Sequence, residues 1–128
     1  DPYAAGLGFA VRPDKPGGFI GQAACRAKKA AGPLKRRLAQ LLVKDPEPML
    51  YHAEIIFRNG KPAGHVRSGA FGHTLGGAVG LFMIEAEAPV DEAYVKNGRW
   101  EIDIAGKIYP VTVSLTPLYD PEMKKIRR

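Results

Sequence analysis

The chain has 128 residues, 45% of them hydrophobic, and carries 19 Lys and Arg against 13 Asp and Glu, for a formal net charge of +6. That size and apolar content suit one globular domain with its own core and exclude dependence on disulfides or metals for folding. No apolar run reaches the about 18 residues of a membrane-spanning helix, nothing reads as a signal peptide, and the single Cys25 excludes an internal disulfide and fits a reducing compartment such as the cytoplasm.

In chain order, the first residues are Asp1 and Pro2 with no initiating Met, so a piece of a longer protein is expected. GLGFAVR, Gly6 to Arg12, alternates Leu7, Phe9 and Val11 with small or polar residues and predicts a half-buried strand ended by Pro13. After the turn PDKPGG, the run FIGQAACRAKKAA sets Ile20, Ala23, Ala24, Ala27 and Ala31 at helical spacing. Basic residues fill its C-terminal half, and Gly32 and Pro33 stop it. Cys25 falls within this helix and is expected to be a buried structural thiol. LKRRLAQLLVK is ambiguous. Leu34, Leu38, Leu41 and Leu42 follow helical periodicity, whereas the run is short, follows a proline and ends at DPEP.

From Met49 the punctuation is that of hairpins. AEIIFR and KPAGHVRSG flank Asn59-Gly60, a pair suited to a turn whose two central residues need positive φ. GAVGLFMIEAEA reads as a strand buried on both faces. RWEIDI and KIYPVTVSL flank Ala105-Gly106 as a second hairpin, with Pro110 expected at an edge or a bulge. Short strands joined by tight turns predict a mainly β antiparallel barrel or sandwich with one helix, its strands and helix together supplying a complete core for a monomer.

The run SGAFGHTLGG, Ser68 to Gly77, has the glycine density of a phosphate loop but lacks the Lys-Ser/Thr pair and a following helix, so a strand-end turn is the simpler reading. His52, His65 and His73 show no metal-ligand spacing, and no metal site is expected. Glu85, Glu87, Asp91, Glu92, Glu101 and Asp103 are scattered, with no paired acid and base, so no catalytic residue is assigned.

AGLGFAVRPDKPGGFIGQAA, KRRLAQLLV, RNGKPAGHVRSGAFGHTLGGAVGLFMI and GKIYPVTVSLTPLYDP, in this order, resemble the C-terminal barrel of the aminomethyltransferase family, the glycine cleavage T-protein and its relatives. DPEPMLY, GHTLG and LYDPEMKKIR look closer to the branch of flavin-dependent dimethylglycine and sarcosine dehydrogenases. The resemblance implies a closed six-stranded antiparallel Greek-key barrel over residues 33–128, after a leading strand and short helix in residues 1–32. LKRRLAQLLVK then becomes the first barrel strand, with Leu38 and Leu42 on one face and Ala39, Leu41 and Val43 on the other.

The resemblance also implies a parent that handles one-carbon units on tetrahydrofolate, with FAD in a separate upstream domain if it is a dehydrogenase. The catalytic aspartate and most pterin contacts would lie in upstream folate-binding domains of the same chain. This barrel would then be inert alone and form a wall of the folate chamber. The family pattern has an arginine after the last strand that helps hold folate, where this chain reads PLYDPEM, with Asp120 and Pro121. Candidate chamber residues are His73, Tyr119, Arg127 and Arg128, the two arginines meeting the folate polyglutamate tail if the C-terminus folds back. The competing reading is a nucleic-acid-binding or translation-factor-like barrel. Against it, KRRLAQLLVK interleaves no aromatic with its basic residues.

Overall fold

The structure is a computed structural model that describes residues 1–125 and 127. Six strands, β1 (Arg36–Val43), β2 (Ile55–Arg58), β3 (Lys61–Gly72), β4 (Gly77–Glu85), β5 (Trp100–Ile104) and β6 (Lys107–Ser114), close into a barrel in the order β1-β4-β3-β2-β5-β6. Every pairing is antiparallel. Closure leaves no strand edge without a partner. Helix α1 (Gln22–Ala30) precedes the barrel, and a short helix α2 (Glu92–Lys96) joins β4 to β5.

β1 is a strand, against the helical reading of its leucines. Positions 34, 38 and 42 recur every four residues, a spacing that fits one face of a strand as well as a helix. Ala39, Leu41 and Val43 point inward and are buried, while Leu38 and Leu42 lie on the outer face opposite Met83 and Val79. With both faces partly covered, alternation is blurred and periodicity alone misleads.

Both predicted hairpins form. Asn59 and Gly60 take φ values of 52° and 77°, and Ala105 and Gly106 take 52° and 83°, so each pair makes a two-residue turn that matches strand twist. Pro110 lies neither at an edge nor at a bulge. It sits opposite Glu101 where β6 leaves its ladder with β5, and from Val111 onward β6 pairs with β1, so the missing N–H falls at the handover. β4 is buried on one face only. Ala78, Phe82 and Ile84 fill the interior, whereas Val79, Leu81 and Met83 on the outer face remain partly exposed.

The core consists of Leu41, Val43, Ile56, Val66, Phe82, Ile84 and Ile102, all essentially inaccessible, with Trp100, Val90 and Val95 closing one end. Asp91 caps α2 by accepting a hydrogen bond from the backbone N–H of Tyr94 at 2.7 Å, and Trp100 Nε1 donates to the Val95 carbonyl at 2.9 Å. The Arg58 guanidinium lies 3.9 Å from the Tyr94 ring centre and donates to the Tyr94 carbonyl, fixing α2 over the barrel mouth.

The leading segment differs from its prediction. Gly6 to Arg12 is not a strand. It contains one 3-10 turn, Gly8–Ala10, and its backbone N–H groups bond locally, Leu7 to the Pro2 carbonyl and Val11 to the Gly8 carbonyl. A strand needs a partner ladder, and no described strand pairs with this stretch. Phe9 is therefore 85% exposed and Leu7 51%. Helix α1 forms where expected, yet buries none of its residues, Ile20 just before it is fully exposed, and Cys25 is only half-buried. The expected shared core is thus confined to the barrel. Only Ala4 of the first 32 residues is buried, near the point where its carbonyl accepts from the Leu38 N–H at 2.7 Å.

Candidate functional site

His73 lies in the four-residue turn that links β3 to β4, and its geometry answers the question of the glycine run. The N–H groups of Leu75 and Gly76 both donate to the Gly72 carbonyl, and Gly76 takes φ 75°. A Cβ on Gly72 would lie 2.6 Å from Val79 Cγ2, and one on Gly77 would lie 2.6 Å from the Val43 carbonyl oxygen. These glycines serve close backbone approach at a hairpin end. His73 is exposed and meets the Phe71 ring edge-on at 5.1 Å.

Tyr119 sits on the segment that follows β6 and runs back over the outer face of β1. Gln40 Oε1 accepts a hydrogen bond from the Leu118 N–H at 3.0 Å and so pins the segment. Beyond it the chain turns on Asp120, whose carboxylate accepts from the N–H groups of Lys124 and Lys125, both at 2.9 Å. The turn brings Lys125 Nζ within 3.1 Å of the Tyr119 hydroxyl and 4.8 Å of its ring centre. That hydrogen bond is the main reason the Lys125 ammonium titrates above the ordinary lysine value.

Asp120, which departs from the basic residue of the family pattern, thus holds a fold that places a different cation, Lys125, beside Tyr119. Lys125 was missed from the sequence because only the Asp120 turn brings it there. An Asp four to five residues before a Lys-Lys pair was the available signal. Arg127 is exposed, and Arg128 lies outside the described residues. Among the described residues no hydrogen bond or aromatic contact joins His73 to Tyr119.

The basic start of β1 does not form a free cationic face. Arg36 Nε pairs with Glu85 Oε1 at 3.0 Å, and Arg37 donates to the Val90 carbonyl at 3.3 Å. Both arginines are tied into the fold, and no aromatic alternates with them on β1, so the arrangement lacks the stacking platform of a single-strand binder.

Comparison with known proteins agrees with this geometry. The glycine cleavage T-protein C-terminal barrel domain matches residues 36–120. The chain is 39% identical to 4-methylaminobutanoate oxidase (formaldehyde-forming) of Paenarthrobacter nicotinovorans over 99% of its length and 15% of that protein. It is 34% identical to the mitochondrial sarcosine dehydrogenase of Mus musculus, covering 98% of this chain and 14% of that protein. An aminomethyltransferase of Geobacillus thermodenitrificans is 36% identical over 92% of this chain and 30% of its own length. The crystal structure of glycine cleavage system aminomethyltransferase T from Bartonella henselae superposes with a TM-score of 0.67 at 25% identity, covering 88% of this chain and 30% of that one. The chain therefore spans between about a seventh and a third of the relatives it matches.

Proposed function

The chain belongs to the glycine cleavage T-protein C-terminal barrel family, and from that premise we propose that it is the non-catalytic barrel of a tetrahydrofolate-dependent one-carbon enzyme. The parent is a flavin-dependent oxidoreductase acting on N-methylglycine-type amines such as dimethylglycine or sarcosine, or an aminomethyltransferase. FAD, where present, occupies a separate upstream domain. Residues 33–128 form a wall of the folate chamber, and residues 1–32 pack against the upstream folate-binding domains of the same chain. A parent of this kind with a lone cysteine here suits a reducing compartment such as the cytoplasm. Among the described residues, no helix is long and apolar enough to cross a membrane.

The observation that carries this reading is the contrast between a barrel with a full core and a leading segment with almost none. Phe9, Leu7, Phe19 and Ile20 are exposed, and Phe19 lines a cavity of about 520 Å³ with Val11 and Cys25, rimmed by Arg12 and Lys15. The Tyr3 hydroxyl is buried without a hydrogen-bond partner, and that burial raises its pKa. Such a segment is apolar where a neighbour belongs. On this reading His73, Tyr119 and Arg127 face the chamber, and the pterin is held elsewhere. The isolated chain should then bind tetrahydrofolate no better than about millimolar, since a one-sided wall cannot bury the ligand.

Deleting the barrel from the parent, read by folate binding and by flavin absorbance, tests the proposal. Lost folate binding with retained flavin is expected. Unchanged folate binding would overturn it.

A further inference from the structure

The hairpin that joins β2 to β3 ends at a cleft in the barrel mouth, with a volume of about 550 Å³. Its charged lining is Arg58, Lys61, Glu85 and Glu87, and Pro62, Ala63, Ala86 and Ala88 supply its apolar wall. Arg58 is held rigidly. Its Nε and Nη2 both donate to the Tyr94 carbonyl, at 3.3 and 2.9 Å, while its guanidinium lies over the Tyr94 ring. Gly98 leaves room for that arrangement, since a Cβ there would lie 2.6 Å from Arg58 Nε and 2.9 Å from Trp100 Nε1. Nη1 has no hydrogen-bond partner among the described residues, so one arm of the fork is free.

Arg58 and Lys61 are direct partners across the two strands, the last pair before the Asn59-Gly60 turn, and so project from the same face of the hairpin. Like charges directly opposite each other destabilise a strand pair. Neither side chain has an ion-pair partner among the described residues, and Arg58 is half-buried, where an uncompensated charge costs more than an exposed one. Of the two acids, Glu85 is taken by Arg36 at 3.0 Å, whereas Glu87 is exposed and has no ion-pair partner among the described residues. The cleft therefore offers a fixed cation, a second cation opposed to it and one carboxylate that is not engaged.

An anion between two opposed cations relieves their repulsion, and a fixed guanidinium arm with an ammonium beside it suits the two oxygens of a carboxylate. The acids of the cleft work against a dianion such as phosphate and favour a ligand that also carries a positive group. The apolar wall favours one with a small hydrocarbon group. We propose that the barrel-mouth cleft binds a zwitterionic α-amino acid with a small apolar side chain, its carboxylate on Arg58 and Lys61 and its ammonium on Glu87. The inference is independent of the folate reading, because His73, Tyr119 and Arg127 do not line this cleft.

The test is a titration of the 128-residue chain followed by amide NMR. The probes are L-valine, 3-methylbutanoate (valine without its ammonium), 2-methylpropylamine (valine without its carboxylate) and inorganic phosphate. Valine should give saturable shifts at the amides of Arg58, Lys61, Ala63, Glu87 and Tyr94. It should bind at least about threefold tighter than 3-methylbutanoate, the scale of one exposed ion pair, and tighter than the amine or phosphate. Glu87→Gln should lower valine affinity to that of 3-methylbutanoate and leave 3-methylbutanoate bound no more weakly. Lys61→Gln should weaken valine and 3-methylbutanoate alike, by about threefold.

Lys61 and Glu87 are exposed, so both variants should fold as the original chain does and the outcome is read on binding. No saturable shift with valine, shifts confined to residues outside the cleft, equal affinity for valine and 3-methylbutanoate, or valine binding unchanged in Lys61→Gln would each overturn the site. Such a failure leaves the folate proposal standing, since barrel deletion in the parent reads folate and flavin and does not read this cleft.

Discussion

Gln40, in the middle of the first barrel strand, holds Leu118, four residues past the end of the last one, through a hydrogen bond from the Leu118 N–H to Gln40 Oε1. The contact spans 78 positions of sequence and decides where Tyr119 lies. Gln40→Ala should cost about 1 kcal/mol, the net worth of one partly buried hydrogen bond. Hydrogen exchange should show faster exchange at Leu118 and at Lys124 and Lys125, with the β1–β4 ladder unaffected. Unchanged protection at Leu118 would mean that other contacts hold the segment.

Gly64 and Gly106 both adopt positive φ, but only Gly64 faces crowded space. A side chain at Gly64 meets the Met83 backbone and the Phe82 ring, whereas nothing lies within 4 Å of Gly106. Gly64→Ala should therefore destabilise by about 3 kcal/mol or more, combining strain with overpacking. Gly106→Ala should cost only about 1 kcal/mol, from backbone conformation alone. Urea unfolding of the two variants checks the ranking, and equal losses would refute the close approach.

Trp100 packs edge-on against Phe82 at 6.0 Å and donates to the Val95 carbonyl. Trp100→Ala should lose about 3–5 kcal/mol through the cavity it leaves. Trp100→Phe, which keeps a ring but not the donor, should lose about 1–2 kcal/mol because other N–H groups also reach that carbonyl. Thermal unfolding followed by circular dichroism distinguishes the two.

Phe9 and Ile20 should be dispensable for the barrel. Phe9→Ser and Ile20→Ser should each change the stability of the chain by less than about 0.5 kcal/mol, as expected of residues that touch no core. A loss of 2 kcal/mol or more in urea would show that residues 1–32 and 33–128 are one cooperative unit.

The Tyr119–Lys125 contact gives the C-terminal turn an alkaline limit. Its hydrogen bond raises the folded-state pKa of Lys125, so the folded state holds that proton more tightly than the unfolded one. The contribution is complete below the ordinary lysine value, about 10.5, and disappears as pH rises through the raised value. Tyr119 ring resonances should report this loss in a pH titration. In Lys125→Met the transition linked to Lys125 should be absent.

What the sequence determined by itself was local. Asn59-Gly60 set the first hairpin because both residues tolerate positive φ, Gly106 marked the second although Ala105 beside it takes φ 52° against its own preference, and Gly32-Pro33 ended α1 for a similarly local reason. The closed six-stranded barrel, with LKRRLAQLLVK as its first strand, followed from resemblance to a family, since nothing in the periodicity of that run chose strand over helix. Tertiary structure decided that choice, because β4 and β6 supply the ladders on either side of β1. The same cause worked in reverse at Gly6 to Arg12, where alternation was present but no described strand pairs with it. Of the candidate site, His73 could be placed on its turn from the glycines around it. The pairing of Tyr119 with Lys125 and the register shift of β3 against β4 between Val66 and Ser68 depend on contacts between distant residues, Leu118 with Gln40 and β3 with β4, and a linear pattern does not carry them.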